Sequence, residues 1–197
     1  KSIFMRGTES NHTKVLINGV ELNSGTLGVP SIQHISVEML DRIEISKGSM
    51  STLYGRDTIG GVINIITKRN SGDNKGKIFL STGRDETNKI GFQKNFIYKG
   101  HDLSINYMSV DTDGYKAKVA STKNHSYENK NIDISYNFNT GKNDFGFNFY
   151  QSDGNVEYDS FGSNLNQDHK DSHLKLIWNR KYDTSESKII FIKKQNK

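Results

Sequence analysis

The chain has 197 residues, no Cys, a single Pro, 18 Gly and a formal charge of +5. Without Cys there is neither a disulfide framework nor a thiolate metal site, and no apolar run reaches the roughly 18 residues that a membrane-crossing helix needs. Hydrophobic residues make up 32%, too few for a large globular core, yet nine Tyr, ten Phe and one Trp exclude disorder for all but the loops, because disordered chains are poor in aromatics.

Low hydrophobicity with dense aromatics suits alternating strands that face two different media, since only every second residue then needs to be apolar. The Lys residues are spread over strand ends and turns rather than clustered with aromatics, so the positive charge does not read as a nucleic-acid footprint.

In chain order, Ile3 to Glu9 reads as a strand running into Arg6-Gly7-Thr8, and polar Ser10-Asn11-His12-Thr13 as a turn. Lys14-Val15-Leu16-Ile17 reads as a second strand closed by Asn18-Gly19. Asn-Gly is the strongest short hairpin signal, because the favoured turn needs positive φ at both central residues. Val20 and Leu22 continue on the far side, and Asn23 to Pro30, rich in Gly and Ser, reads as a loop. Ile32, Ile35 and Leu40 lie near helical spacing, which predicts a short helix near Val37–Leu40.

Arg42 to Lys47 alternates, with Ile43 and Ile45 on one face and Arg42, Glu44 and Ser46 on the other, so it reads as a half-buried strand. Gly48 ends it, because only Gly enters positive-φ geometry without steric cost. Ser49 to Tyr54 is predicted to form one helical turn with an N-cap-type Ser. Gly55, Gly60 and Gly61 punctuate a tight region, and the β-branched run Val62-Ile63-Asn64-Ile65-Ile66-Thr67 reads as the next strand.

This succession resembles the C-terminal half of the plug domain of TonB-dependent outer-membrane receptors. That family carries Arg-Ile/Val-Glu-x-x-Lys/Arg-Gly-Pro, then Leu/Val-Tyr-Gly, then Gly-Gly-Val-x-Asn-Ile-x-Thr. Arg42, Ile43, Glu44, Lys47, Gly48, Leu53, Tyr54, Gly55, Gly60, Gly61, Val62, Asn64, Ile65 and Thr67 fall on it, and Ser49 stands where the family has Pro. Upstream, Arg6, Gly7, Val15, Leu16, Ile17, Gly19 and Val20 match the family segment Ile-Arg-Gly…Val-Leu-Ile-Asp-Gly-Val, with Asn18 for Asp. The resemblance implies that outward plug loops bind substrate, which here means Thr8, Glu9, Ser10, Asn11 and His12 in one loop and Asn23, Ser24, Gly25 and Thr26 in the other.

After Lys68 the pattern changes. Residues 69–77 are polar, contain Gly72 and Gly76, and read as a linker between a plug part at 1–68 and barrel strands at 78–197. Seven strands are expected. Their apolar faces are marked by Ile78 and Leu80; Ile90, Phe92, Phe96 and Tyr98; Leu103, Ile105 and Tyr107; Ile132, Ile134, Tyr136 and Phe138; Phe145, Phe147 and Phe149; Leu174, Leu176 and Trp178; and a less regular run around Lys188–Lys193. Asn95, Asn106, Asp133, Ser135, Asn148 and Lys175 alternate with them, the polar-inward, apolar-outward signature of a transmembrane barrel. Short connections (99–102, 139–144, 180–187) alternate with long polar ones (111–129, 151–171), as when short turns face the periplasm. Plugged outer-membrane transporters use about 22 strands, so seven cannot close. Lys1 follows no signal peptide, and the end lacks the terminal aromatic strand such barrels have. Truncation at both ends is therefore expected, including loss of the segment that couples to the inner-membrane energy complex.

The fold class expected is thus an α+β plug of short strands and helices followed by antiparallel strands of an incomplete barrel. No enzyme chemistry is expected. Asp57 beside Arg56 lacks a base–nucleophile partner, Gly60-Gly61 lacks the Lys-Ser/Thr of a phosphate loop, and the six His are scattered, with His169 and His173 at i, i+4 but not converging. Acidic residues in the long connections are hard oxygen ligands of the kind Ca²⁺ takes. The cobalamin-transporter branch of the family orders such loops with calcium, and the resemblance implies a weak site at Tyr158, Asp159 and Asp168. Lys116 and Lys130 stand where that branch has ligands. The implied function is TonB-dependent import of a large scarce nutrient, cobalamin-like, across the bacterial outer membrane. A ferric-siderophore receptor of the same family and a non-transporting adhesive barrel are the alternatives. The implied partners are a TonB-type energy complex, the substrate and outer-membrane lipid, not nucleic acid.

Overall fold

At the Asn18-Gly19 turn φ is 51° at Asn18 and 77° at Gly19, and the turn folds β1 (Thr13–Ile17) back onto β2 (Val20–Glu21). The computed structural model describes residues 2–24, 28–69, 74–116, 118–119, 121–160 and 163–196. The chain divides into two units, Lys1–Lys68 and Arg69–Lys197, each with its own sheet.

In the first unit the sheet order is β2-β1-β4-β3, with β3 at Leu40–Lys47 and β4 at Gly61–Thr67. β1 is central, antiparallel to β2 and parallel to β4 in the register Thr13↔Gly61 to Ile17↔Ile65. A parallel pair needs a crossover of a dozen or more residues, which the chain from Asn18 to Gly60 supplies. All five residues of β1 are buried, as a strand covered on both faces requires. Val15, Ile17, Val20, Leu22, Met39, Val62 and Ile65 form the core, each worth about 1.5–3 kcal/mol when fully buried. Short 3-10 turns at Ser10–His12, Ile32–His34 and Val37–Met39 and one helical turn, α1 (Ser51–Tyr54), complete the unit. The helix expected near Val37–Leu40 is the last of those 3-10 turns.

Three local expectations change. The strand expected over Ile3–Glu9 is absent, because Arg6 (φ 54°) and Gly7 (φ 76°) turn the chain and Thr8 N–H donates to Met5 O at 3.0 Å. No Ser caps α1; its N-cap is Met50, without a side-chain bond. Ile43 and Ile45 are 53% and 56% exposed rather than half-buried, because β3 is an edge strand.

The second unit is a seven-stranded antiparallel meander: β5 (Gly76–Thr82), β6 (Asn88–Tyr98), β7 (His101–Thr112), β8 (Tyr127–Asn139), β9 (Asn143–Ser160), β10 (Ser163–Lys181) and β11 (Glu186–Asn196). Each strand pairs with its sequence neighbours, leaving β5 and β11 as open edges. β5 thus begins two residues before the expected Ile78. One face buries Asn95, Ser104, Asn106, Asn131, Asp133, Ser135, Asn148, Ser152, His169 and His173, while the other exposes Ile90, Phe92, Phe96, Phe145, Leu176 and Trp178. Polar residues inside and apolar ones outside invert the soluble pattern and match a barrel wall in lipid. Among the described residues no helix is long and apolar enough to cross a membrane.

At one end the strands are joined by Lys99-Gly100 and by residues 140–142 and 182–185. At the other they are joined by residues 83–87, 113–126 and 161–162. Residues 151–160 and 163–171, expected within a long loop, instead belong to paired strands of 18 and 19 residues. A spanning strand needs only about 9–11 residues, so β9 and β10 continue well past the apolar belt. His169 and His173 consequently lie within β10. At the short-turn end the outward rings of His101, Phe138, Phe145 and Trp178 form a row with centroid spacings of 4.2, 6.4 and 6.5 Å. That is the aromatic girdle of a membrane interface.

Candidate functional site

In the first unit the two loop segments singled out as substrate contacts lie side by side. A Cβ added at Gly28 (φ 68°) would sit 3.2 Å from Asn11 Cβ. Both segments are fixed from below. Gly60 N–H donates to His12 O at 3.0 Å, and a Cβ at Gly60 would stand 2.4 Å from Thr8 Oγ1 and 3.0 Å from Thr13 Oγ1. The glycine is therefore the seat on which residues 8–13 rest. Glu9 and Asn11 are exposed and His12 and Ser24 half-buried, so these four present polar groups outward. Ser10 is buried and accepts from Ile3 N–H at 3.0 Å, while Thr8 Oγ1 donates to Met5 O. Asn23 is 4% exposed, and its amide is committed to the backbone of Thr13, Val15 and Gly28. It shapes the loop rather than facing outward. Gly25 and Thr26 lie outside the described residues.

The motif residues form a connected set. Arg42 Nε donates to Glu44 Oε1 at 2.9 Å, Asn64 Nδ2 to Glu44 Oε2 at 3.1 Å, and Gly19 N–H to Asn64 Oδ1 at 3.1 Å. Arg42, Glu44 and Asn64 thereby tie β3 and β4 to the β1–β2 turn. Gly48 follows Lys47 with a φ of 97°, and a Cβ placed there would make only an ordinary 3.5 Å contact with Arg6 Nη1, so the backbone conformation is what calls for glycine. Gly61 (φ 143°) lacks room as well, since its Cβ would meet Ser46 O at 2.4 Å. Gly55 (φ 76°) caps α1 after Tyr54. The sequence reading passed over Lys14. It is 6% exposed, and its Nζ donates to Tyr54 O at 2.7 Å and pairs with Glu21 at 3.3 Å. A Lys inside an otherwise apolar five-residue strand was the signal available.

The polar face of the second unit carries a ladder that the sequence also left unassigned. Asn106 Nδ2 donates to Asp133 Oδ2, Asn148 Nδ2 to Asp133 Oδ1, and His173 Nε2 lies 3.0 Å from Asn148 Oδ1. One row thus crosses β7, β8, β9 and β10.

The structure does not bring the calcium candidates together. Asp159 pairs in register with Asn164 and Asp168 with Asn155, several residues apart along the hairpin. Asp168 Oδ1 accepts from Asn155 at 2.7 Å, and Asp159 accepts from Ser121 Oγ and lies 3.1 Å from His125 Nε2. Tyr158 is 38% exposed. Among the described residues no three His, Asp or Glu side chains are grouped as a metal ion requires, so the donor set does not fit the six to eight oxygens of Ca²⁺. These carboxylates instead fasten the connection 113–126 to β9. Lys123 Nζ donates to Glu157 Oε1 at 2.8 Å and Ser126 N–H to Glu157 Oε2 at 3.3 Å. Those bonds hold the Glu157 carboxyl down to about 2. The bond from Ser121, then the nearby His125, lowers Asp159 as well.

A family described as TonB-dependent Receptor Plug Domain matches residues 1–62. The vitamin B12 transporter BtuB of Vibrio vulnificus (strain CMCP6) is 34% identical over 83% of this chain, and that of Photobacterium profundum is 40% identical over 45% of it. The chain belongs to the TonB-dependent receptors. It spans about a quarter of the length of the first curated relative, 27%. Among solved structures, the siderophore receptor PiuA of Acinetobacter baumannii superposes with a TM-score of 0.75 at 15% identity, over 98% of this chain and 30% of that one. PirA of the same organism gives 0.76 at 19%, over 97% and 33%. At such identity the likeness is one of fold. Family membership makes this an outer-membrane chain, and the seven-stranded sheet is part of a receptor's barrel wall.

Proposed function

We propose that this chain serves TonB-dependent active import of a large, scarce nutrient across the bacterial outer membrane, with a cobalamin-like substrate. The observation that carries the reading is the 34% identity to a vitamin B12 transporter across both units, from the plug sheet into the barrel strands. The outward polar groups of Glu9, Asn11, His12 and Ser24, held over Gly60 and beside Gly28, are the proposed plug contribution to substrate binding. No covalent step is involved. Substrate outside biases the plug, and a TonB-type energy complex at the inner membrane drives the rearrangement, since binding alone shifts an equilibrium only by its differential affinity for the two states.

Ferric siderophore, the cargo class named for the receptors PiuA and PirA, is the second substrate reading. An adhesive barrel without transport would have no use for the Arg42–Glu44–Asn64 set of the plug. The test is equilibrium binding of cyanocobalamin and of a ferric catecholate to the purified full-length receptor, followed by uptake in cells with and without the energy complex. Cobalamin binding with energy-dependent uptake supports the proposal. Siderophore binding in its place overturns the substrate, and binding without uptake overturns transport.

A further inference from the structure

The outward face at the short-turn end carries an apolar groove with an arginine at its rim. The groove, about 470 Å³, is lined by Tyr136, Phe145, Phe147, Leu176, Trp178 and Phe191 among others, across β8 to β11. Trp178 closes its lower edge, with Nε1 donating to Asn143 Oδ1 at 3.3 Å. Arg180 follows two residues later on the same face, by the period of a strand. Its guanidinium lies 5.2 Å from the Tyr182 ring and forms no ion pair among the described residues. Lys142 is exposed too, but its O accepts from Lys181 N–H at 2.9 Å, which sets it opposite Lys181 and away from the face of Arg180.

Two carboxylates of this rim, Asp144 and Glu186, point the other way. Asp144 alternates with outward Phe145 and pairs with Lys181 at 3.1 Å. Glu186 stands opposite Lys181 in the register and shares its inward face. Asp144, Glu186 and their partner Lys181 thus lie inside, and outside, directly beyond an apolar slot, stands a guanidinium with no ion pair among the described residues. A soluble anion would match Arg180 but not the groove, and a neutral lipid would match the groove but not Arg180. One molecule satisfies both.

We propose that this groove holds an anionic phospholipid, with an acyl chain between the β9–β11 aromatics and the phosphate on Arg180. The proposal rests on the membrane-spanning reading of the sheet. Arginine is suited to the role because its planar donors meet two phosphate oxygens at once.

The test is native mass spectrometry of the full-length receptor in detergent, with dioleoyl phosphatidylglycerol or dioleoyl phosphatidylcholine added. The wild type should keep one phosphatidylglycerol under activation that strips phosphatidylcholine. Arg180→Gln should weaken that retention roughly tenfold, the factor that loss of one charge-assisted hydrogen bond produces. Ile189→Trp, which fills the groove from an exposed position, should weaken both lipids. Should Arg180→Gln not fold, Arg180→Lys replaces it, with partial retention expected. Equal retention of the two lipids, or full retention by a folded Arg180→Gln receptor, overturns the proposal. A receptor that shows no heat-modifiable barrel and no membrane partition overturns the membrane reading itself, whatever the lipid result.

Discussion

Asn148 Nδ2 donates to Asp133 Oδ1 at 2.8 Å across the β8–β9 pair, and Asp133 is 0% exposed. The two are diagonal neighbours, since the register sets Ser135 opposite Asn148 and Tyr150 opposite Asp133. Asn148 also reaches Ser135 Oγ at 2.9 Å and approaches His173, so one amide links three strands. A buried carboxylate is tolerated only when its lone pairs are occupied. Asn148→Leu removes a donor and leaves Asp133 under-satisfied, with an expected loss of about 1–3 kcal/mol. The denaturant midpoint of the refolded full-length receptor would measure it. Asn148→Asp, which sets a second carboxylate against the first, should cost more, and a smaller effect than that of Asn148→Leu would count against the ladder.

The plug glycines separate space from conformation. Gly61 has both a positive φ and a Cβ position 2.4 Å from Ser46 O, Gly60 lacks space alone, and Gly7 has positive φ with nothing within 4 Å. Gly7→Ala should therefore cost only the ~1–2 kcal/mol of left-handed backbone strain. Gly61→Val should cost more than that. Gly60→Ala should displace the loop at residues 8–13 and weaken substrate binding more than it lowers the melting temperature. Thermal melts alongside ligand titration check all three, and Gly60→Ala with unaltered affinity would remove the loop from the site.

How much of this was readable follows from the medium each residue faces. In the apolar belt the two faces differ, so Phe145, Phe147 and Phe149 against Asn148 leave a period-2 trace that the structure reproduces. Past the belt both faces meet water, the trace disappears, and Gln151–Ser160 and Ser163–Asp171 read as loop although they are strand. Asn18-Gly19 was legible because its turn chemistry is specific. Arg6-Gly7 was not, since a positive φ at Arg is uncommon and Ile3-Phe4-Met5 carries strand propensity. The Arg42–Glu44–Asn64 set was legible only as a motif, because hydrogen bonds between strands depend on register. Lys14 and the Asp133 ladder answer to three-dimensional neighbours that spacing does not reveal.

Charges placed on the two faces of β10 should have opposite consequences. Leu174 faces outward opposite Phe149, whose partner on β8 is Ile134, in the middle of the apolar belt. Leu174→Arg should cost about 2–4 kcal/mol in the full-length barrel, whereas Trp178→Arg, at the girdle, should cost ~0–1 kcal/mol. Lys175 is on the inner face, and Lys175→Gln should be nearly silent. Folding titrations into vesicles read these differences. Equal penalties at positions 174 and 175 would contradict the faces.

The connection 113–126 should come away from β9 in acid and not in base. Glu157 accepts from Lys123 and Ser126 and has its carboxyl held down to about 2, and Asp159 is lowered by Ser121 and then His125. A carboxyl near 4.3 when released and near 2 when docked binds fewer protons in the docked state. Docking is therefore fully present above about pH 4.3 and is lost as pH falls through the docked value. Both groups lie past the apolar belt, where salt screens them, so high ionic strength should loosen the clamp as well. Hydrogen exchange over residues 113–126 should be unchanged between pH 7 and 5, after correction for the intrinsic rate, and faster near pH 3. Glu157→Gln should show the fast exchange already at pH 7, since it loses the pair with Lys123. An exchange rate in Glu157→Gln equal to wild type at pH 7 would mean that the segment is held by its backbone bond from Glu157 N–H to Ser126 O and not by the carboxylate.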